Sequence, residues 1–164
     1  SVEEALRRIK LLSLDVDGIL TDGGIYYADD GNSFRKFNAK DGVGVNRLMK
    51  TGIDVVIISA GAPGAIEHRA RRMGIKHVFT DVGDKLSVLR ELSDRLGIEM
   101  ADVAHMGDDV IDLEIMEAVG FSFTASDAVD EVLDYADIIT KNKGGEGAVR
   151  EVCDLLLRVQ NLSR

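Results

Sequence analysis

Short apolar runs alternate with stretches of helical period along most of this chain. The runs at residues 9–14, 53–58, 77–79, 103–106, 121–123 and 137–139 are rich in Ile, Val, Leu and Phe. They are too short for independent helices and read as buried strands. Between them, residues 42–50, 64–73, 85–96, 111–119, 128–135 and 148–162 space their apolar residues three and four apart, which predicts amphipathic helices. Glycines at 52, 74, 97 and 120 suit the ends of four of these. Regular strand-helix alternation predicts an α/β fold, a Rossmann-like parallel sheet with helices on both faces. One segment departs from it. Ile25-Tyr26-Tyr27 and Phe34-Arg35-Lys36-Phe37 flank a polar turn, Ala28 to Ser33, the signature of a small β-hairpin over 25–37. Such a hairpin either packs on its own domain or serves as a flap over a site.

Length and composition narrow the class. At 164 residues the chain suits one domain, 1–164, with no room for a separate cap domain. Hydrophobic content of 45% and charged content of 30% are those of a globular protein, and no apolar run approaches the roughly 18 residues of a membrane helix. A net charge of -9 disfavours a nucleic-acid partner. The basic run Arg69-Ala70-Arg71-Arg72 reads as the exposed face of one helix. Cys153 is the only cysteine, which excludes an intrachain disulfide, points to a reducing cytoplasm and reads as a small buried hydrophobe beside Val152, Leu155 and Leu156. The start, Ser1 to Arg8, is charged and amphipathic, without the apolar core of a secretory signal.

The chemistry-bearing residues fall where the predicted strands end. Asp15-Val16-Asp17-Gly18-Ile19-Leu20-Thr21-Asp22-Gly23 follows the first apolar run, placing two carboxylates at a strand exit, where open α/β sheets bind ligands. One carboxylate can attack phosphorus, the other can handle the leaving group's proton, and Gly18 lets the chain turn away. Gly107-Asp108-Asp109-Val110-Ile111-Asp112 follows another apolar run, with Asp112 one helical turn beyond Asp108. Between the two acidic clusters, Ser59 ends a run and Lys85 opens a helical stretch. Taken singly, the serine reads as a helix cap and the lysine as a solvated side chain. In this order, acid, hydroxyl, ammonium and acid, they form a set.

That set, Asp-x-Asp-Gly-x-x-Thr-Asp, Ser, Lys and Gly-Asp-Asp-x-x-Asp, resembles the haloacid dehalogenase superfamily of phosphatases. The resemblance implies that Asp15 is the nucleophile forming an aspartyl-phosphate and that Asp17 is the acid and then the base. Ser59 and Lys85 would clamp the phosphoryl oxygens. A phosphate would repel the attacking carboxylate, so a divalent cation is implied, magnesium (Mg2+), held by Asp15, the backbone carbonyl of Asp17 and Asp108, with Asp109 and Asp112 just behind them. A receiver-type binding module would instead place an acidic pair after its first strand, a lone phosphoacceptor after its third and its lysine near the fifth, whereas here the lysine precedes the second acidic cluster.

Within that superfamily the chain resembles, nearly end to end, the capless phosphatases acting on 3-deoxy-D-manno-octulosonate 8-phosphate, a sugar acid of bacterial lipopolysaccharide synthesis. The residues carrying this are Leu20-Thr21-Asp22-Gly23, the hairpin ending Phe37-Asn38, Lys40-Asp41-Gly42-Val43-Gly44, and the tail Gly144-Gly145-Glu146-Gly147-Ala148-Val149-Arg150-Glu151. The resemblance implies a homotetramer, substrate contacts from Asp41, Arg69 and Arg150, and a hairpin and C-terminal tail (143–164) that enclose neighbouring sites in place of a lid. Two positions depart from the family pattern. Ser59-Ala60-Gly61 stands where Ser/Thr-Gly-Arg is usual, removing an arginine expected to meet the sugar acid, and Asp81 stands where glycine is expected. The first leaves open another ulosonic acid phosphate, such as a nine-carbon 9-phosphate. A non-catalytic assembly module, like the related domain of animal sialic-acid-activating enzymes, is the other alternative; intact Asp15, Asp17, Lys85, Asp108 and Asp112 argue against it.

Overall fold

The computed structural model describes residues 1–160. In chain order the elements are α1 (Val2–Arg7), β1 (Leu11–Leu14), β2 (Tyr26–Tyr27), β3 (Ser33–Phe34), α2 (Ala39–Lys50), β4 (Asp54–Ile58), α3 (Pro63–Met73), β5 (His77–Phe79), α4 (Lys85–Leu96), β6 (Val103–Met106), α5 (Leu113–Ala118), β7 (Phe121–Thr124), α6 (Asp130–Tyr135), β8 (Ile138–Ile139) and α7 (Ala148–Val159). Strands pair in the order β5-β4-β1-β6-β7-β8, every pair parallel, and β2 pairs antiparallel with β3 as a separate hairpin. This is the α/β architecture expected from the alternation, hairpin included.

The apolar runs become strands because helices cover both sheet faces. Leu12 and Leu14 of β1 pack in a cluster with Val45 and Leu48 of α2, Ile66 of α3 and Val152 and Leu156 of α7. Leu11, Val56 and Ile58 turn the other way, onto Leu89 and Leu92 of α4 and Ile115 of α5. Burying each such side chain contributes roughly 1.5–3 kcal/mol. Cys153 lies in the first cluster, and burial pushes its thiol up, keeping it neutral.

Capping residues shift several predicted boundaries. Helix α2 starts at Ala39, three residues before the predicted 42, because the Asn38 side chain accepts the Lys40 N–H at 2.9 Å. The stretch predicted over 111–119 divides into a 3-10 turn, Val110–Asp112, and α5. Here Asp109 accepts the Val110 N–H (2.7 Å) and Asp112 accepts that of Asp109 (3.3 Å). Helix α1 covers the charged, amphipathic start and is capped by the Ser1 hydroxyl accepting the Glu4 N–H. The part of the last predicted helix beyond residue 160 lies outside the described residues. On α3, Arg71 and Arg72 are exposed while Arg69 is half-buried. Among the described residues no helix is long and apolar enough to cross a membrane.

Candidate active site

The chain lays down β1, builds outward through β4 and β5, then returns to place β6 on the opposite side of β1. Reversal of strand order opens a crevice at the C-terminal ends of β1 and β6, the place where such sheets take ligands. Asp15 is the first residue after β1, and Gly107-Asp108 follow β6. The Asp15 N–H donates to the Met106 carbonyl at 3.1 Å, so the two acidic loops leave the sheet tied together. Gly18 has φ 85°, and a Cβ there would stand 1.8 Å from Asp108 Oδ2, so glycine is required both for the turn and for the approach of the second carboxylate. The Thr21 hydroxyl accepts the N–H groups of Gly18 (3.3 Å) and Gly23 (3.1 Å), closing the loop. The tail loop is seated directly on it. Gly145 N–H donates to the Ile19 carbonyl at 3.0 Å, and a Cβ at Gly144 would fall 1.8 Å from the Gly18 carbonyl oxygen. Within its own chain the tail therefore supports the Asp15 loop from behind.

Lys85, the first residue of α4, reaches across to donate from Nζ to Asp15 Oδ1 at 3.0 Å and stands 3.9 Å from Asp112 Oδ1. All three side chains are at least nine-tenths buried. Burial, and then the Asp112 charge, push the Asp15 carboxyl up, against the opposing Lys85 ammonium. Asp108 is pushed up to about 8 by burial and by the charges of Asp15 and Asp112. Burial would also raise Asp112, yet the His105 hydrogen bond and the Lys85 charge hold its carboxyl below the usual range. Behind these groups runs a buried polar relay. His105 Nε2 donates to Asp112 Oδ1 at 2.9 Å, and His105 Nδ1 lies 2.9 Å from the hydroxyl of Ser13, its partner in register across β1 and β6. Asp112 Oδ2 accepts the N–H groups of Asp108 (3.1 Å) and Asp109 (3.3 Å), fixing the second acidic loop.

One oxygen from each of Asp15, Asp108 and Asp112 lies within 4.8 Å of the others. Carboxylates so crowded need a proton or a cation between them, and hard oxygen donors suit a divalent cation. Asp112 already has both oxygens bonded to His105 and to the loop N–H groups, which leaves Asp15 and Asp108 as the side chains able to face an ion.

The cleft over these groups encloses about 240 Å3, and Asp15, Asp17, Ser59, Lys85, Asp108 and Asp109 all line it. Ser59 follows β4, and its Oγ accepts the Gly61 N–H at 3.0 Å. Asp81 adopts φ 54°, the left-handed region in which glycine is easiest and aspartate is tolerated; this is the physical sense of a glycine expectation there. Periodicity missed Arg35. From the hairpin it donates Nε to Asp17 Oδ1 at 2.8 Å and Nη2 to Asp17 Oδ2 at 3.3 Å. No sequence pattern marks it, since β3 ends at Phe34 and Arg35 lies beyond the strand. His105 was missed too, although a polar residue in the fully buried run 103–106 marks a partnered group.

Asp41, Arg69 and Arg150 do not line this cleft. Asp41 is buried, accepts the Arg150 N–H at 2.9 Å, and is pushed up to about 6 by burial against that bond and the charges of Arg69 and Arg150. Arg150 bonds Asp154 through Nε, and Arg69 donates from Nη2 to the Asn38 carbonyl at 3.3 Å. Arg69 borders a separate groove with Gly42, Asn46 and Arg72.

Comparison with known proteins agrees with this geometry. The profile of the haloacid dehalogenase-like hydrolases matches residues 74–152. The 3-deoxy-D-manno-octulosonate 8-phosphate phosphatase of Escherichia coli K12 is 42% identical over 93% of this chain and 81% of its own. The crystal structure of that phosphatase from Yersinia pestis superposes with a TM-score of 0.96 at 41% identity, covering 98% of this chain and 87% of the other. The enzyme from Moraxella catarrhalis, solved with magnesium, phosphate and KDO, gives 0.94 at 38% identity over 98% and 92% of the two chains. With a relative this similar over nearly its whole length, the chain belongs to the 3-deoxy-D-manno-octulosonate 8-phosphate phosphatase family of the haloacid dehalogenase-like hydrolases and is a phosphoric monoester hydrolase.

Proposed function

We propose that this chain hydrolyses the phosphate ester of a sugar acid, 3-deoxy-D-manno-octulosonate 8-phosphate, in a magnesium-dependent reaction through an aspartyl-phosphate on Asp15. The observation that carries this is the buried Lys85–Asp15 contact at the β1 exit, facing Asp108. Lys85 and the Val16 N–H both bond Asp15 Oδ1, which leaves Oδ2 as the attacking atom. Oδ2 forms a bond to phosphorus as the bond to the sugar oxygen breaks, and Asp17 gives that oxygen its proton. Asp17, now a carboxylate, takes a proton from water; the water oxygen attacks phosphorus, releasing phosphate and restoring Asp15. The Ser59 hydroxyl and the Lys85 ammonium hold phosphoryl oxygens. Asp15, the Asp17 carbonyl and Asp108 would hold Mg2+, which when bound would supply neutralising charge at those oxygens. Asp112, with Asp109 beside it, keeps the Asp108 loop in place.

The substrate is supported by the three relatives above, which are named for octulosonate 8-phosphate, one of them holding magnesium, phosphate and KDO. The assignment of Asp41, Arg69 and Arg150 to substrate binding rests on the family resemblance, since all three lie outside this cleft, and it goes together with a homotetramer in which a neighbouring copy closes the cleft. Exposed Tyr26, Tyr27 and Phe34 of the hairpin supply apolar surface for such contacts. A cytoplasmic location belongs to the same proposal. Gly61 favours a second reading, a nine-carbon ulosonic acid 9-phosphate. A panel of phosphorylated ulosonic acids and common sugar phosphates, compared by kcat/KM with and without Mg2+, tests both. The octulosonate ester is expected to lead by at least about tenfold, the effect of one charged hydrogen bond; a lead by the nine-carbon ester supports the second reading, and no sugar acid above ordinary sugar phosphates contradicts both.

A further inference from the structure

Arg35 belongs to a hairpin of two-residue strands whose other side chains, Tyr26, Tyr27 and Phe34, face solvent, yet its own side chain is only 7% exposed. It leaves the hairpin face and forks onto Asp17 with two hydrogen bonds, Nε to Oδ1 and Nη2 to Oδ2. An exposed ion pair of this kind contributes little, because water competes and long side chains resist being held. Here a shielded guanidinium forks onto a planar carboxylate, the arrangement that fixes a carboxylate's plane as well as its position. Asp17 itself remains one-third exposed, on the cleft side.

The surroundings are built around that guanidinium. A Cβ at Gly61 would stand 2.9 Å from Arg35 Nη2, 3.0 Å from Ile66 Cδ1 and 3.2 Å from Ser59 Oγ, so any side chain at 61 crowds the guanidinium and shifts its Nη2 end, the end that bonds Asp17 Oδ2. Two residues beyond Arg35, Phe37 packs against the core, and Asn38 caps α2 while donating Nδ2 to the Gly145 carbonyl at 3.2 Å. The hairpin is thereby anchored at the end that carries Arg35. Asp17 takes two of the five N–H donors of the guanidinium, so the group is held by the acid–base residue and not by a helix end or by bulk water.

We propose that Arg35 is a positioning residue for Asp17, carried by the hairpin, and that Gly61 is small so that it fits. This rests on reading Asp17 as the acid and base of a phosphatase, and it goes beyond that reading in giving the hairpin a role in the chemical step. General acid catalysis matters most where the leaving oxygen is a poor anion. An alkyl phosphate needs the Asp17 proton as its ester bond breaks, whereas an activated aryl phosphate departs as a phenolate without it. Misplacing a catalytic group by about 1 Å can cost on the order of a hundredfold. Loss of the fork therefore shows itself in leaving-group dependence.

The test compares wild type, Arg35→Gln, Arg35→Lys and Gly61→Ala by kcat/KM on a sugar-acid phosphate and on a series of aryl phosphates, with the fold of each variant checked by circular dichroism. The expected result for Arg35→Gln is a loss of about ten- to a hundredfold on the alkyl ester. On the most activated aryl ester the loss is less than about threefold, steepening the dependence on leaving-group pKa. Arg35→Lys, which keeps charge but not the fork, falls between. Gly61→Ala gives the same steepening with Arg35 intact. Equal losses on alkyl and aryl esters, or a gain on removing Arg35, overturn the proposal while leaving the phosphatase reading standing. A wild-type protein inactive on every ester brings down that reading itself.

Discussion

At Asp108, burial and the charges of Asp15 and Asp112 push the carboxyl up to about 8, which ties the acidic cluster to pH. In the chain without a cation, this group favours folding most below its unfolded value near 3.8, and the contribution disappears as pH rises through about 8. A divalent cation competes with the same proton, so binding must release it. Mg2+ affinity, measured by calorimetry, is therefore expected to rise between about pH 6 and about pH 8 and then level off; affinity that is flat or falls over that interval contradicts the placement of Asp108 beside the ion. Asp15, Asp17, Ser59, Lys85 and Asp108, which line one cleft, could all be picked out from sequence because each sits within three residues of a strand exit or opens a helix, where position follows from topology. Arg35 could not. Its approach to Asp17 depends on how far a short hairpin twists back and on the vacancy above Gly61, and neither has a linear signature.

Strands β1 and β6 do more than deliver the two acidic loops. Through Ser13 and His105, facing each other in register, they hold Asp112, and Asp112 in turn fixes the N–H groups of Asp108 and Asp109. Replacing His105 by leucine removes the hydrogen-bond partner of the buried Asp112 Oδ1 and Ser13 Oγ, at about 1–3 kcal/mol each. His105→Leu is therefore expected to unfold at lower urea and to lose activity through weakened Mg2+ binding; unchanged stability and an unchanged Mg2+ dependence contradict the relay. Elements with apolar period were legible in type, while their ends were set by caps such as Asn38 and Asp109, whose side chains bond backbone two residues away or nearer. The same local bonds divide the stretch 111–119 into a turn and a helix.

For the whole molecule, parallel order about β1 converts four separated stretches of sequence into one cleft, and the tail from Gly144 closes back onto the loop that starts the chain's chemistry. That long-range seating, like the burial of Asp41 against Arg150, follows from packing of α2 on α7 and has no local sequence signal. The central claim, that Asp15 is the atom donor for a covalent phosphoryl transfer in this cleft, is tested most directly by steady-state phosphate release from the octulosonate 8-phosphate with Mg2+, comparing wild type with Asp15→Asn. The amide keeps the size of the side chain but cannot attack as a carboxylate. The account predicts a folded variant whose turnover is lost by at least about a thousandfold, as for removal of a nucleophile; a folded, uncontaminated Asp15→Asn protein that turns over within tenfold of wild type contradicts it.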